Sequence, residues 1–174
     1  PMSATGSAGM ETCFVNLLEP GDHALICRNG VFGGRMAEVA RRCGAEVTLV
    51  DAPWGKPIDT DDVAKADKER ASKGLAVGHG DTPTGGLQDP APFRAIADSC
   101  GALLLVDAVT SLAGVPVDID RLGIDAVYSG TQKCLSCPPG LSPVSFSERA
   151  RQVLTTRSTP VQSWYFDLNL IGRY

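Results

Sequence analysis

Residues 102–106 form an unbroken apolar run, Ala-Leu-Leu-Leu-Val, which ends at Asp107. A strand with one face in water alternates apolar and polar side chains, whereas a run without alternation is typical of a strand buried on both faces. Such strands lie inside parallel sheets that helices cover on both sides. The run therefore predicts an α/β protein with a mostly parallel sheet.

Strand and helix patterns alternate along the rest of the chain. Apolar runs predict strands, and apolar positions spaced three or four apart predict helices. The expected strands are 24–27, 47–50, 75–77, 102–106, 125–128 and 142–146, and the expected helices are 10–18, 33–43, 59 or 60 to 71, and about 91–100. Pro143 puts the last strand at an edge or delays its start, because proline cannot donate a ladder hydrogen bond. Residues 1–174 are thus expected to form one doubly wound domain, a mostly parallel sheet flanked by helices.

The charge balance excludes some partners. The chain carries 16 basic and 20 acidic residues and no basic run, so it offers no basis for binding nucleic acid or an anionic membrane. No stretch approaches the roughly 18 apolar residues that a membrane span needs. We therefore expect a soluble, cytoplasmic protein with no nucleic-acid or membrane partner.

Six cysteines could form a disulfide framework, but four of them lie in apolar-periodic segments, and a chain of this length can build a core without cross-links. We interpret them as mostly buried, reduced thiols. Cys134 and Cys137 form a lone CxxC pair without a second pair at zinc-finger spacing. A metal or redox role is therefore the less favoured interpretation of these two residues.

The segment Thr5-Gly6-Ser7 precedes the first expected helix. Glycine lets backbone N–H groups approach an anion, hydroxyl groups add donors, and a helix start carries partial positive charge. These three residues are a candidate phosphate cradle. Taken alone, a helix start capped by a side chain is the simpler explanation.

Two further candidates stand at the ends of strands. Asp107 ends the apolar run, where a carboxylate costs free energy unless a cation or hydrogen-bond donor meets it. Lys133 follows the strand 125–128, and partial burial in a sheet crevice favours the neutral amine that imine formation requires. Most lysines lie on surfaces, so Lys133 alone decides nothing. A phosphate cradle, an acid and a lysine at one sheet edge together predict pyridoxal phosphate as cofactor.

Two loop residues fit the same prediction. Phe32 follows the strand 24–27, where a flat ring could stack on a cofactor, although a core phenylalanine is an equally good interpretation. Thr82 follows the strand 75–77 and could hydrogen-bond a phenolic oxygen, although a turn-forming role explains that loop by itself.

The chain resembles the class V aminotransferases, and within them the alanine–glyoxylate and serine–glyoxylate (serine–pyruvate) branch. The motifs that carry the resemblance are VDAVTS (106–111), YSGTQK (128–133), PPG (138–140), LEPGD (18–22) and NGVFG (29–33). The resemblance covers essentially the whole chain. It implies the large domain of the fold type I pyridoxal-phosphate enzymes.

The resemblance also implies roles for individual residues. Lys133 matches the lysine that attaches the cofactor aldehyde, and Asp107 matches the partner of the pyridine nitrogen. Phe32 and Val109 match the residues on the two faces of the ring, and Thr82 matches the residue near the phenolic oxygen. The matches to the phosphate ligands are Thr5, Gly6, Ser7 and Gln132.

The family resemblance implies transamination from alanine or serine to glyoxylate or another small 2-oxo acid, in a homodimer. Relatives extend further at both ends, so the chain is expected to be a central fragment that lacks the N-terminal arm and the C-terminal small domain. Two alternatives stay open: a pyridoxal-phosphate-dependent lyase or desulfurase, and a cofactor-binding fragment without activity.

Overall fold

A computed structural model describes residues 1–173 as a six-stranded sheet with helices on both faces. The strands are β1 (His23–Arg28), β2 (Glu46–Asp51), β3 (Gly74–Gly78), β4 (Leu103–Asp107), β5 (Ala126–Tyr128) and β6 (Val144–Phe146). The helices are α1 (Gly6–Leu17), α2 (Val31–Arg42), α3 (Thr60–Glu69), α4 (Ala91–Cys100), α5 (Glu148–Thr156) and α6 (Leu168–Ile171). The strand order is β2-β1-β3-β4-β5-β6, in which every pair is parallel except β5 with β6. The expected fold class is confirmed.

The apolar run is a central strand. All five residues of β4 are buried, and β4 pairs with β3 on one side and β5 on the other. Leu104 and Val106 face a core that contains α3 and α4, whereas Leu103 and Leu105 face a core that contains α1, α2 and α5. Successive side chains of a strand point to opposite faces. Apolar residues are therefore needed at positions 103–106, which pack alternately into the two cores.

The last strand shows the effect of Pro143. It begins at Val144, two residues later than expected, and lies antiparallel at the edge of the sheet. Pro143 still accepts a hydrogen bond at its carbonyl from the Ser129 N–H, but it has no N–H to donate. Ser142 leaves the strand and forms an isolated bridge with Met2.

Helix boundaries differ from the sequence prediction at several ends. Helix α1 begins at Gly6 rather than at residue 10, because its first turn packs through small residues that carry no apolar periodicity. Helix α3 ends at Glu69, two residues short of the expected end, and its N-cap is Asp59, which accepts from the Asp61 N–H. Helices α5 and α6 were not predicted from the sequence. None of the helices within residues 1–173 combines the length and apolarity that crossing a membrane requires.

A buried carboxylate ties four elements together where β5 begins. Asp125 is almost fully buried and accepts hydrogen bonds from the Leu104 N–H at 2.9 Å, the Ser147 hydroxyl at 2.7 Å and the Arg94 guanidinium at 2.7 Å. Arg94 lies on α4, and Ser147 is the N-cap of α5, where its hydroxyl accepts from the Ala150 N–H. Asp125 therefore joins β4 and β5 to the helices on both sides of the sheet.

We predict that Asp125→Ala lowers the free energy of unfolding by about 3 kcal/mol, because it leaves the buried Leu104 N–H without its acceptor and the mostly buried Arg94 guanidinium without its buried carboxylate, so that Arg94 keeps only the exposed Asp98 as an ionic partner. Urea unfolding of the purified chain measures the change. The control is Asp118→Ala, which removes an exposed pair with Arg121 and should cost no more than about 1 kcal/mol. Equal losses in both variants would contradict the prediction.

Candidate active site

The predicted site residues meet in a cleft of about 190 Å³ at the carboxyl ends of the strands. In a doubly wound sheet this edge is where helix N-termini and strand-end loops converge. The residues that line the cleft are Thr5, Gly6, Ser7, Met10, Phe32, Arg35, Asp107, Val109, Gln132 and Lys133. Eight of the nine predicted residues are therefore brought together, and Thr82 is the exception.

The candidate phosphate cradle is the first turn of α1. Thr5 is the N-cap with an extended backbone, and its side chain makes no capping hydrogen bond. The first N–H groups of a helix have no partner within the helix, so those of Gly6 and Ser7 are available to an anion. The structure thus gives no support to the simpler explanation, in which the Thr5 hydroxyl serves only to cap the helix.

Glycine is required where α1 crosses the ends of β4 and β5. A Cβ atom at Gly6 would lie 2.8 Å from Val109 Cγ2, and one at Gly9 would lie 3.0 Å from Tyr128 Cβ and closer still to the Ser142 hydroxyl. Any side chain at either position would push the helix away from the sheet. The two glycines therefore set how closely the cradle approaches the strand-end residues.

Asp107 is a buried carboxylate at the end of β4, with only 4% of its surface exposed. Its two oxygens accept hydrogen bonds from the Tyr128 hydroxyl and from the Val109 N–H, each at 2.9 Å. Burial raises the pKa of Asp107 to about 6, and the two donors only partly oppose that shift. The pKa of Tyr128 is raised as well, first by burial and then by the nearby Asp107 charge, so the phenol stays a donor. A cation beside Asp107 would stabilise its ionised form.

Lys133 and Gln132 enter the cleft from the turns that follow β5. The Lys133 N–H bonds the Gly130 carbonyl, and the Lys133 carbonyl accepts from the Ser136 N–H, so the backbone on both sides of the lysine is fixed. The Gln132 Oε1 atom is buried and has no hydrogen-bond partner within the described residues. A buried polar atom without a partner costs free energy, so the fold itself does not account for the position of this amide.

Phe32 and Arg35 come from the first turns of α2. The Arg35 guanidinium carbon lies 5.0 Å from the centroid of the Phe32 ring, and Arg35 Nη1 donates to the Ser7 hydroxyl at 3.0 Å. Sequence reasoning missed Arg35 and Met10. The spacing of Arg35 from Phe32, three residues along one helix, was a usable signal because such positions share a helix face.

Thr82 is exposed and does not line the cleft. Its loop is closed by bonds to Asp81, which accepts from the Gly85 N–H at its carbonyl and from the Thr84 hydroxyl at its carboxylate. These bonds agree with a turn-forming role for the loop. The contact of Thr82 with a phenolic oxygen stays a prediction.

The six cysteines are free thiols, of which Cys13, Cys27 and Cys43 are buried. Cys134 and Cys137 are exposed, and the Cys134 thiol donates to the Thr110 carbonyl at 3.3 Å. Within residues 1–173 no group of three or more potential ligands from His, Cys, Asp and Glu could hold a metal ion.

Comparisons with known proteins agree on one family. The family described as "Aminotransferase class-V" matches residues 2–162. The alanine–glyoxylate aminotransferase of Rattus norvegicus is 39% identical over 172 residues, which are 99% of this chain and 42% of that protein. The (S)-ureidoglycine–glyoxylate transaminase of Bacillus subtilis (strain 168) is 35% identical over 100% of this chain and 46% of that protein. The chain thus spans less than half the length of these relatives.

Solved structures give the same result. The crystal structure of an alanine–glyoxylate aminotransferase from Nostoc sp. superposes with a TM-score of 0.97 at 42% identity, over 99% of this chain and 46% of that chain. A cysteine desulfurase from Thermococcus onnurineus NA1 is more distant, with a TM-score of 0.72 at 19% identity over 87% of this chain and 38% of that chain, and shares the fold alone. The chain belongs to the class V aminotransferase family.

Proposed function

We propose that this chain is the cofactor-binding part of a pyridoxal-phosphate-dependent transaminase. The observation that carries the proposal is the meeting of Lys133, Asp107 and the phosphate cradle in one cleft. Three different elements supply them: the turn after β5, the end of β4 and the start of α1. Each matches one chemical group of the cofactor, namely the aldehyde, the ring nitrogen and the phosphate.

The donor set of the cleft fits pyridoxal phosphate. The N–H groups of Gly6 and Ser7 and the hydroxyls of Thr5 and Ser7 suit an anion, and the approach of α1 to Val109, just after β4, leaves no room for a Cβ atom at residue 6. The Gln132 Oε1 atom is buried without a partner among residues 1–173, and the same amide carries an Nε2 donor that could turn toward the phosphate. The ionised form of the buried Asp107 carboxylate would be stabilised by a cation, and a protonated ring nitrogen would provide one.

Four residues of the cleft would have separate roles in the reaction. Pyridoxal phosphate, when bound, supplies an electron sink for carbanion chemistry. Lys133 would attach the aldehyde and, once released, would move at Nζ the proton that leaves the substrate α-carbon. Asp107 would hold the proton on the ring nitrogen. Phe32 and Val109 would fix the plane of the ring between them.

The substrates we propose are small amino acids and 2-oxo acids. Relatives named for transfer to glyoxylate support glyoxylate as the acceptor, with alanine or serine as the donor. Formation of glycine from glyoxylate and alanine by the protein that contains this chain tests the assignment, with serine as the second donor. If neither alanine nor serine yields glycine from glyoxylate, the assignment is contradicted.

We infer a homodimer in the cytoplasm as the setting for this activity. Val31, Trp54 and Leu87 are exposed apolar side chains, and apolar groups of that kind are common where chains associate. The free thiols, three of them in the core, support a reducing compartment. The mass of the assembly in solution, measured by light scattering, checks the dimer.

The lyase or desulfurase alternative rests on Cys134 and Cys137 beside Lys133. Cys134 is held through its thiol to the Thr110 carbonyl, and both residues lie in the turn next to the lysine rather than on a long loop. A nucleophile that must reach a substrate held by Lys133 is poorly placed there. Release of sulfide from cysteine would favour this alternative over transamination.

One prediction concerns covalent attachment. Addition of pyridoxal phosphate followed by borohydride should leave a phosphopyridoxyl group on Lys133, which peptide mass spectrometry locates, and Lys133→Ala should abolish it because, among residues 1–173, no other amine lines the cleft. The control Lys68→Ala removes an exposed lysine of α3 and should leave the labelling unchanged. Labelling of the Lys133→Ala variant at the wild-type level would overturn the assignment.

Another prediction concerns the pH dependence of stability. Because the pKa of Asp107 is about 6 in the folded chain and 3.8 ordinarily, the folded chain binds this proton more tightly than the unfolded chain does. The contribution of Asp107 to stability is therefore present at low pH and lost as the pH rises through about 6.

Asp107→Asn removes this titration, so the stability of the variant relative to wild type should rise by about 2–3 kcal/mol between pH 4 and pH 7 without cofactor. Urea unfolding at both pH values measures it. The control Asp118→Asn, at an exposed carboxylate, measures the part of this pH-dependent change in stability that removal of any surface carboxylate would cause. A relative stability that stays constant or falls would refute the prediction.

A further inference from the structure

Two cationic side chains line the cleft, Lys133 and Arg35, and the proposed function uses only Lys133. A phosphate monoester carries a charge of about −1.5 to −2 at neutral pH. If Lys133 attaches the aldehyde, its amine is not free to neutralise that phosphate. The partial charge of the α1 N-terminus, roughly half an elementary charge, is too small to do so alone.

Arg35 lies between the two groups that would hold the cofactor. Its Nη1 atom donates to the hydroxyl of Ser7 in the phosphate cradle, and its guanidinium covers the Phe32 ring. The positive charge of Arg35 also lowers the pKa of Asp107, against the larger effect of burial. Arg35 is exposed as a residue, but these contacts place its guanidinium at the cleft.

Arg35 has no carboxylate partner within the described residues, in contrast to several other arginines. Arg28 is paired with Asp51, and Arg94 is paired with Asp125. A guanidinium offers five N–H donors in a planar fork that matches two oxygens of a phosphate. Arg35 uses one donor for Ser7, which leaves the others for a ligand.

We propose that Arg35 is a ligand-binding residue of this cleft that donates two hydrogen bonds to the phosphate of the cofactor, beside the N-terminus of α1. The inference rests on the proposed function, because it takes the bound phosphate ester to be that of a vitamin B6 compound. Arg35 would add a positively charged contact that distinguishes the phosphorylated from the unphosphorylated forms of the same ring.

The test compares the affinities of pyridoxamine 5′-phosphate and pyridoxamine, measured by fluorescence titration of the purified chain. Neither compound has an aldehyde, so neither bonds to Lys133 and the affinities report non-covalent contacts. Arg35→Gln should weaken binding of the phosphorylated compound about tenfold or more and leave pyridoxamine unchanged. Arg35→Lys keeps the charge but loses the fork, so it should recover only part of the loss.

The matched control is Arg41→Gln, which removes the same charge from an exposed position near the end of α2. It should keep the wild-type preference for the phosphorylated compound, and circular dichroism should show that all variants are folded. An Arg35→Gln variant that keeps the wild-type preference, or that loses affinity equally for both compounds, would overturn the role of Arg35 and leave the proposed function intact.

Failure of the wild-type chain to bind the phosphorylated compounds would contradict the proposed function as well. Wild-type chain that binds neither pyridoxamine 5′-phosphate nor pyridoxal phosphate would overturn both. Inorganic phosphate that competes with the phosphorylated compound on wild type, and not on Arg35→Gln, would support the assignment directly, because phosphate shares no other group with the cofactor.

Discussion

The buried carboxylate of Asp107 is the constraint on which the rest of the site depends. It lies at the end of a strand that is buried along its whole length, and two hydrogen bonds, from Tyr128 and Val109, hold it in place. These bonds fix the position of the carboxylate but do not fully stabilise its negative charge, because burial still raises its pKa. The fold therefore carries an unfavourable group in a fixed position, as is typical of functional sites. A cationic ligand would stabilise the ionised carboxylate, and that stabilisation would contribute to the binding free energy.

Parallel strand order explains why residues far apart in the chain meet around that carboxylate. Phe32 follows β1, Asp107 ends β4 and Lys133 follows β5, and the carboxyl ends of parallel strands share one edge of the sheet. Helix α1 then brings its N-terminus across β5 at the same edge. Sequence separation is thus a poor guide to distance here, whereas position at the end of a strand is a good one.

Much of the fold and most of the site could be predicted from the sequence for that reason. The apolar run predicted β4 because both of its faces are buried, and Pro143 predicted the edge position of β6 because it lacks a donor. Helix α5 was missed although Ser147 followed by Glu148 is a helix-start signal. Arg35 was missed although its spacing from Phe32 places both on one helix face, because its contact with Ser7 joins residues 28 apart in the chain, which no local pattern encodes. Thr82, which the resemblance placed near a phenolic oxygen, does not line the cleft, and its contact stays a prediction.

The candidate phosphate cradle is held in place by hydrogen bonds within the chain. Met2 and Ser142 exchange two backbone hydrogen bonds just ahead of it, and the Ser142 hydroxyl donates to the Ser129 carbonyl at 2.6 Å. Gly9 lets α1 lie against β5 at this point, so the cradle is fixed to the strand that leads to Lys133. A site that is ordered in advance pays little conformational entropy when it binds its ligand. Gly9 and Ser142 would therefore contribute to affinity without contacting the ligand, because they fix the distance between the first N–H groups of α1 and the Lys133 amine.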